Sequence, residues 1–308
     1  MIKNRVVIIL VNYNGLEDTA ACLRSIKNTK GELPFVVLVD NASDNSHLLD
    51  SLVYDYGRLH LIKNSENVGF GCANNKGIRW AQKNIYFEYL LLLNNDTLIE
   101  PYSLFYLEKA FKNDPEIGIT TGKTLYEGQR DIVWYGGGDI NYKRGWPKIK
   151  DFQNKATKEG ANKSKYVDFV SGCVMMFSRK SISDIKGFDD DFFMYCEDLD
   201  LSMRAQRLGY KLYYEPKSVI YHKVQGSNAN IENKGLQPGN KNLGFLFYHM
   251  KSNQYLAMKK NLPYAKFAKF RLFYWLEFIF LNFKFIKSNR LDIVKISYRT
   301  IKRINRLK

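Results

Sequence analysis

Three short segments of this 308-residue chain gather side chains able to hold a cation, a phosphate or a proton. In Tyr89-Leu-Leu-Leu-Leu-Asn94-Asn95-Asp96-Thr97 an apolar run empties into an acidic turn. A carboxylate at the end of a buried strand calls for a cation, and Mg2+ or Mn2+ takes oxygen ligands from one or two carboxylates together with substrate phosphates. Asn and Asp also occupy ordinary turns, so the pattern alone leaves both uses open. The second segment, Asn67-Val68-Gly69-Phe70-Gly71, runs on through Asn74 to Gly77 and opens a helix. Backbone amides at such a helix start can approach phosphate. The glycines miss the third position of the dinucleotide fingerprint, and a simple capping turn would use the same residues. The third segment holds six acids between Asp189 and Asp200. The helix dipole favours acids in a first turn. The aromatic and apolar run Phe192 to Cys196 nevertheless sets Glu197 and Asp198 at the edge of a partly dry cleft, where a carboxylate can act as a general base.

These segments need elements to position them. Short runs rich in Val, Ile and Leu at Arg5–Val11, Phe35–Asp40, Leu59–Lys63, Glu88–Leu93 and Ile117–Thr121 are separated by helical-length stretches. That alternation predicts a mostly parallel sheet with helices on its faces, with ligands bound beyond the carboxyl ends of the strands. Polar clusters sit at those ends: Asn12-Tyr13-Asn14, Asp40-Asn41 and Asn94-Asn95-Asp96. Residues 122 to 165, rich in Gly, Lys, Tyr and Trp, read as an irregular excursion. Strand character returns at Tyr166–Phe177, a helix is expected over Asp198–Leu208, and two strands are expected at Lys211–Glu215 and Ser218–His222. Gly226 to Asn240 reads as a loop or linker. From Lys241 the pattern is helical, with Pro263 dividing it.

Charge separates two regions. Residues 241 to 308 carry 16 Lys or Arg against 2 acids, net +14, whereas residues 1 to 240 carry 31 against 29. We therefore expect a catalytic domain over 1–240, with a nucleotide-sugar half to about 120 and an acceptor half beyond it, followed by a basic amphipathic tail over 241–308. Between Tyr264 and Lys287 ten aromatics, among them Phe270, Tyr274, Phe280 and Phe283, interleave with Lys266, Lys269, Arg271, Lys284 and Lys287. An aromatic and cationic helix suits the surface of an anionic membrane. The alternative is packing on the domain or on a second copy of the chain, a homodimer. The chain shows neither a secretory leader nor 18 uninterrupted apolar residues, and its four cysteines form no C-x-x-C pair. The expected location is the cytoplasm, peripheral to the inner face of the cell membrane.

Taken in order, Val11-Asn12-Tyr13-Asn14, Val39-Asp40-Asn41-Ala42-Ser43, Asn67-x-Gly69-Phe70, Asn94-x-Asp96, Ser171-Gly172 and Glu197-Asp198-x-Asp200-Leu201-x-x-Arg204 resemble family-2 glycosyltransferases of the GT-A (Rossmann-like) α/β fold. Rhamnosyltransferase-like bacterial members look most similar. The resemblance covers roughly residues 4 to 230. It implies transfer, with inversion, of a sugar such as rhamnose from a dTDP- or UDP-sugar to a hydroxyl of a glycan or lipid-linked glycan, in cell-surface polysaccharide synthesis. It also implies that Tyr13 stacks on the pyrimidine and Asp40 accepts its ring N–H. Asn12, Asn14, Asn67, Gly69, Asn74, Asn94 and Asn95 would complete the donor side. Asp96 and His222 would hold a divalent cation, Mg2+ or Mn2+, with Asn94 standing where the family more often has a first aspartate. His222 followed by Gly226 and Ser227 resembles a metal- or diphosphate-contacting segment of some relatives. Asp198 would be the base with Glu197 in support, and Ser171, Gly172 and Trp146 would lie on the acceptor side. Two other functions fit less well. A sugar-nucleotide nucleotidyltransferase would need a basic glycine-rich loop where Asn12-Tyr13-Asn14-Gly15 stands, and a nucleic-acid binder would leave the acidic clusters without use, so no nucleic-acid partner is expected.

Overall fold

The structure, a computed structural model, describes residues 2–224, 236–238 and 240–306. A ten-stranded sheet organises the chain. We number its strands β1 (Val6–Asn12), β2 (Phe35–Asp40), β3 (Leu59–Lys63), β4 (Tyr89–Asn94), β5 (Thr97–Ile99), β6 (Ile117–Tyr126), β7 (Gln129–Tyr135), β8 (Lys165–Val167), β9 (Val174–Ser178) and β10 (Lys211–His222). Their order is β8-β10-β6-β9-β4-β1-β2-β3, with β5 paired to β10 and β7 to β6. The strands from β4 to β3 run parallel, as do β6 and β10, and β9 is inserted antiparallel between β4 and β6.

Successive residues of the central strands enter different cores. Val7, Ile9, Val37, Leu90 and Leu92 face one apolar cluster, while Val6, Ile8, Leu10, Leu91 and Leu93 face the other. Both faces are covered, so these strands read as continuous hydrophobic runs rather than alternating ones. The helices α1 (Leu16–Lys27), α2 (Asp50–Tyr56) and α4 (Ser103–Asn113) cover the second face; α3 (Phe70–Asn84), α5 (Arg179–Ile185) and α6 (Glu197–Arg207) cover the first.

Two expectations are corrected. The stretch 122–165 is not irregular, because β6 continues to Tyr126, β7 pairs back on it, and Gly138–Asn141 and Trp146–Ile149 form a hairpin. The two strands expected around Pro216 are one, β10, with a register shift between Glu215 and Val219. Proline has no N–H for the ladder, and a bulge absorbs the loss. Most of the loop expected at Gly226 to Asn240, including Gly226 and Ser227, lies outside the described residues.

The basic segment forms α7 (Leu243–Asn261), α8 (Tyr264–Lys287) and α9 (Leu291–Arg306). They join the first core: Phe247 and Tyr255 of α7 meet Phe278, Phe285 and Tyr274 of α8 at ring separations of 5.4, 5.6 and 5.2 Å. The opposite face of α8, with Leu272, Leu276, Ile279, Phe280, Phe283 and Ile286, is exposed. The aromatics therefore divide between internal packing and an outward apolar stripe. Among the described residues no helix is long and apolar enough to cross a membrane.

Candidate active site

The ladder register brings the polar clusters to one edge. Asn12 pairs with Asp40 across β1 and β2, and Val11 with Asn94 across β1 and β4. Because β9 is antiparallel, its start lies at the same edge, where Asn94 N–H donates to Cys173 O at 3.0 Å. β10 brings His222 opposite Thr97 and so beside Asp96.

On the donor side, Tyr13 is 42% exposed and free to stack. Asn12 is buried and fully engaged. Its Nδ2 donates to Asp40 Oδ1 and Ser43 Oγ, both at 2.9 Å, and its Oδ1 accepts from Gly15 N–H at 3.1 Å and Thr19 Oγ at 3.0 Å. It ties the loops of the donor side together through these bonds. Asn14, in the left-handed region at φ 55°, clips to Asp44, and Asn95 donates to Thr19 Oγ at 2.9 Å. Asp40 is also enclosed: Oδ1 accepts from Asn12 and Ser43, and Oδ2 accepts one longer bond from Ser43 N–H at 3.3 Å. Burial alone would raise its pKa, but the hydrogen bonds from Ser43 and Asn12 outweigh it and hold the carboxyl below its ordinary value. Asp40 is fully buried.

Asn67 Oδ1 accepts from Asn41 Nδ2 at 2.8 Å and Gly69 N–H at 3.0 Å, and the buried Asn74 donates to Phe70 O at 3.0 Å. Gly69 has φ +86°, and a Cβ there would lie 2.3 Å from Phe193 O. Only glycine both adopts that backbone and admits the 187–196 loop.

Asp96 Oδ1 lies 3.2 Å from His222 Nε2, with both side chains largely buried. Trp134 stands edge-on to the imidazole at 4.5 Å. Burial would raise the Asp96 carboxyl, but the neighbouring imidazole more than offsets this and lowers it. Asn94 Oδ1 is buried without a hydrogen-bond partner. One carboxylate, one imidazole and one unpartnered amide oxygen suit a divalent ion that keeps positions for phosphate oxygens and water. No group of three or more His, Cys, Asp or Glu side chains converges among the described residues.

On the other flank, Asp198 Oδ2 accepts from Gly172 N–H at 3.1 Å and Oδ1 from Leu199 N–H at 2.8 Å, which brings Gly172 of the expected acceptor side against the expected base. Ser171 adjoins through its hydroxyl, which accepts from Cys173 N–H at 3.4 Å. Glu197 Oε2 is buried and unpartnered. Burial pushes the Asp198 carboxyl up, and burial followed by the charge of Asp198 pushes Glu197 up further. Tyr195 and Cys196 hold φ values of 69° and 66° just before this pair. Two successive left-handed non-glycine residues store strain that the surroundings must enforce. Asn253 of α7 does so, donating to Met194 O at 2.8 Å and Tyr195 O at 3.0 Å. Nothing in the spacing of α7 had marked Asn253.

The rest of the acidic run is structural. Asp200 pairs with Arg204 at 2.7 Å and accepts from Asn261, and Arg204 also donates to Ile185 O and Gly187 O. Asp189 and Asp191 pair with Lys260, and Asp190 accepts from Asn75. Trp146, expected on the acceptor side, is half-buried on its hairpin with Lys251 Nζ 5.7 Å over its ring. It packs against the first apolar core.

A central, mostly parallel sheet with helices on both faces and polar clusters at one strand edge has the GT-A architecture. GalNAc-T7, solved with UDP, GalNAc and Mn2+, matches over 88% of this chain and 55% of its own with a TM-score of 0.60 at 18% identity. A mannosyltransferase, PcManGT from Pyrobaculum calidifontis, solved with GDP-Man and Mn2+, matches over 97% and 74% with a TM-score of 0.57 at 16% identity. The model of glycosyl transferase family 2 matches residues 7–186, and the chain belongs to that family. In sequence it is similar to poly-beta-1,6-N-acetyl-D-glucosamine synthase of Staphylococcus aureus strain COL, 26% identical over 219 residues that make up 70% of this chain and 49% of that protein. The Staphylococcus epidermidis synthase is likewise 26% identical over 69% and 48%. The chain spans about half the length of these curated relatives.

Proposed function

We propose that the protein transfers a sugar from a pyrimidine nucleotide-diphosphate donor to a hydroxyl of a glycan acceptor, with inversion, in surface polysaccharide synthesis. The observation that carries this reading is the placement at one sheet edge of two different carboxylates: Asp96, held low beside His222, and Asp198, pushed up by burial beside Gly172. Environments that drive two carboxyls apart suit one to bind charge and the other to move a proton.

Asp96, His222 and Asn94 would hold a divalent cation, which when bound neutralises the departing diphosphate. Tyr13 offers its ring to the base, and Asp40 keeps Oδ2 for the base N–H. Asp198 takes the proton of the acceptor hydroxyl, while the peptide N–H of Gly172 fixes the orientation of its carboxylate.

The motif resemblance favours dTDP-rhamnose and the likeness to the staphylococcal synthases favours UDP-N-acetylglucosamine. A panel of nucleotide sugars, read as nucleotide diphosphate release with and without Mn2+, decides between them. Tyr13→Ala is expected to weaken UDP or dTDP binding by about 1–2 kcal/mol, the worth of a stacking contact. Equal affinity for GDP and UDP, unmoved by the substitution, would sink the pyrimidine assignment.

The exposed stripe of α8 beside the +14 segment supports peripheral attachment to an anionic membrane. Deleting 264–308 would strip the core of Phe270, Tyr274 and Phe278, so the surface pair Phe280→Ser and Phe283→Ser is the cleaner test. Together they are expected to lower co-sedimentation with phosphatidylglycerol vesicles by about tenfold or more, since each buried Phe contributes roughly 1.5–3 kcal/mol. Unchanged sedimentation would leave this face to a homodimer.

A further inference from the structure

The C-terminal helices enclose a concavity that no step above uses. Between α7 and α9 lies a cleft of about 600 Å3, floored by Gly244 and Tyr248 and walled by Arg299, Lys302, Arg303 and Arg306. These four cations occupy neighbouring turns of one helix face. Like charges three or four residues apart cost about 0.2–0.5 kcal/mol per pair. The helix dipole accounts for Arg303 and Arg306 in the last turn, but not for Arg299 and Lys302.

Among the described residues no carboxylate pairs with these four cations. The two acids of this segment are committed elsewhere, Glu277 to Lys251 at 2.7 Å and Asp292 to Arg290 at 2.8 Å. Among the described residues none of the four cations has an ion-pair partner. Arg303 is nonetheless held in place, donating to Ser252 Oγ at 3.0 Å and Asp191 O at 3.1 Å with its guanidinium 5.3 Å over the Tyr248 ring. Arg299 and Arg306 are exposed. Burial, and then the charge of Arg303, hold the imidazole of His249, next in sequence to Tyr248, down to about 4.

The cleft adjoins the chemistry. Arg303 of α9 touches Asp191, and the Phe193 ring lies 5.4 Å from His249 and 6.4 Å from Phe245 of α7, Asp191 and Phe193 belonging to the loop that leads into Glu197 and Asp198. On the other flank of α9, about 10 Å away across one helix diameter, an apolar groove of about 350 Å3 is lined by Phe278, Ile279, Phe283, Tyr298 and Ile301.

We propose that the α7–α9 cleft is a phosphate-binding site that takes the phosphate or diphosphate group of an amphiphilic acceptor. Assigning the anion to the acceptor rests on the transferase reading; the anion site itself does not. Arginine forks match phosphate oxygens in pairs, and the groove offers apolar surface to the hydrocarbon of the same molecule.

Inorganic pyrophosphate and phosphatidylglycerol vesicles separate the two sources of phosphate, with the full chain kept in EDTA so that the Asp96 site lacks its cation. Calorimetry is expected to show pyrophosphate binding that Arg299→Glu with Arg306→Glu weakens at least tenfold and Asp96→Ala leaves unchanged. Vesicle binding that survives the double substitution assigns the cleft to an acceptor-borne diphosphate. Vesicle binding that is lost with it, and that pyrophosphate competes away, assigns the cleft to a lipid headgroup. Both substituted side chains are exposed, and circular dichroism confirms folding. The proposal is overturned if the double variant binds both probes as the parent does, if neither probe binds the parent, or if Asp96→Ala abolishes pyrophosphate binding. Nucleotide-sugar hydrolysis measured alongside reports on the transferase reading separately.

Discussion

Replacing Asp198 by Asn is expected to lower the transfer rate by about 10²-fold to 10⁴-fold while leaving UDP affinity nearly unchanged. The carboxylate accepts backbone N–H groups, from Gly172 and Leu199. An Asn at this position keeps one of those two bonds, so the structural cost is on the order of 1 kcal/mol and the fold survives. What disappears is the proton acceptor. Because burial raises this pKa, the acid limb of the parent's rate profile should lie above the ordinary aspartate value of about 4. The direction follows simply: the base works only when ionised, so activity is present above the raised pKa and lost as pH falls through it. In the variant that limb should vanish. Glu197 would lose the negative neighbour that helps to push it up, and its own pKa should move down. Near-normal transfer by Asp198→Asn would move the base to Glu197. Asp200, the other acid of the motif, is excluded as a free base by its ion pair with Arg204 and its bond from Asn261.

Much of this arrangement was legible in the chain because parallel strands buried on both faces have a distinctive appearance. Five short aliphatic runs mark five of the ten strands, and the strands at the first, second and fourth of these runs end in Asn or Asp at one edge of the sheet. The pairing of Asp96 with His222 was less visible. It depends on β10 lying antiparallel to the short β5, a long-range register that no local pattern encodes, and only the family resemblance named it. The antiparallel insertion of β9 was equally hidden, although it alone brings Ser171 and Gly172 to the same edge.

Residues 122–165 failed for another reason. Strands lining a loop-rich excursion are short, and Gly136, Gly137, Gly138 and Gly145 interrupt their period. The hairpin there is held instead by long-range contact, with Gly145 packed under Phe270 and Met258. The inward role of Asn12 and the division of labour among six acids share a cause. Residue type states what a side chain can do, whereas neighbours such as Ser43, Thr19, Lys260 and Arg204 decide what it is left free to do.

The largest effect on the donor side is expected from Asp96→Ala. Asp96 is the carboxylate paired with His222, Asn94 Oδ1 two residues before it is buried and unpartnered, and among the described residues no group of three or more His, Cys, Asp or Glu converges. Its loss should abolish the stimulation of UDP binding by Mn2+, leave the weaker binding measured in EDTA unchanged, and lower kcat/KM by at least about 10²-fold, the equivalent of roughly 2.7 kcal/mol. Both the ground state and the transition state contain the diphosphate, so KM and kcat should worsen together, unlike the kcat-only defect of Asp198→Asn. The substitution also takes one partner from a buried imidazole that Cys173 still contacts, at a cost of about 1 kcal/mol in stability that thermal unfolding would register. His222→Ala supplies the control. If the imidazole belongs to the cation site, this variant loses Mn2+-dependent affinity without changing the EDTA value. If it only orients Asp96, most of the Mn2+ response is retained. Equal UDP affinity of the unaltered protein with Mn2+ and with EDTA would remove the cation from this edge and leave Asp96 and His222 as a structural pair.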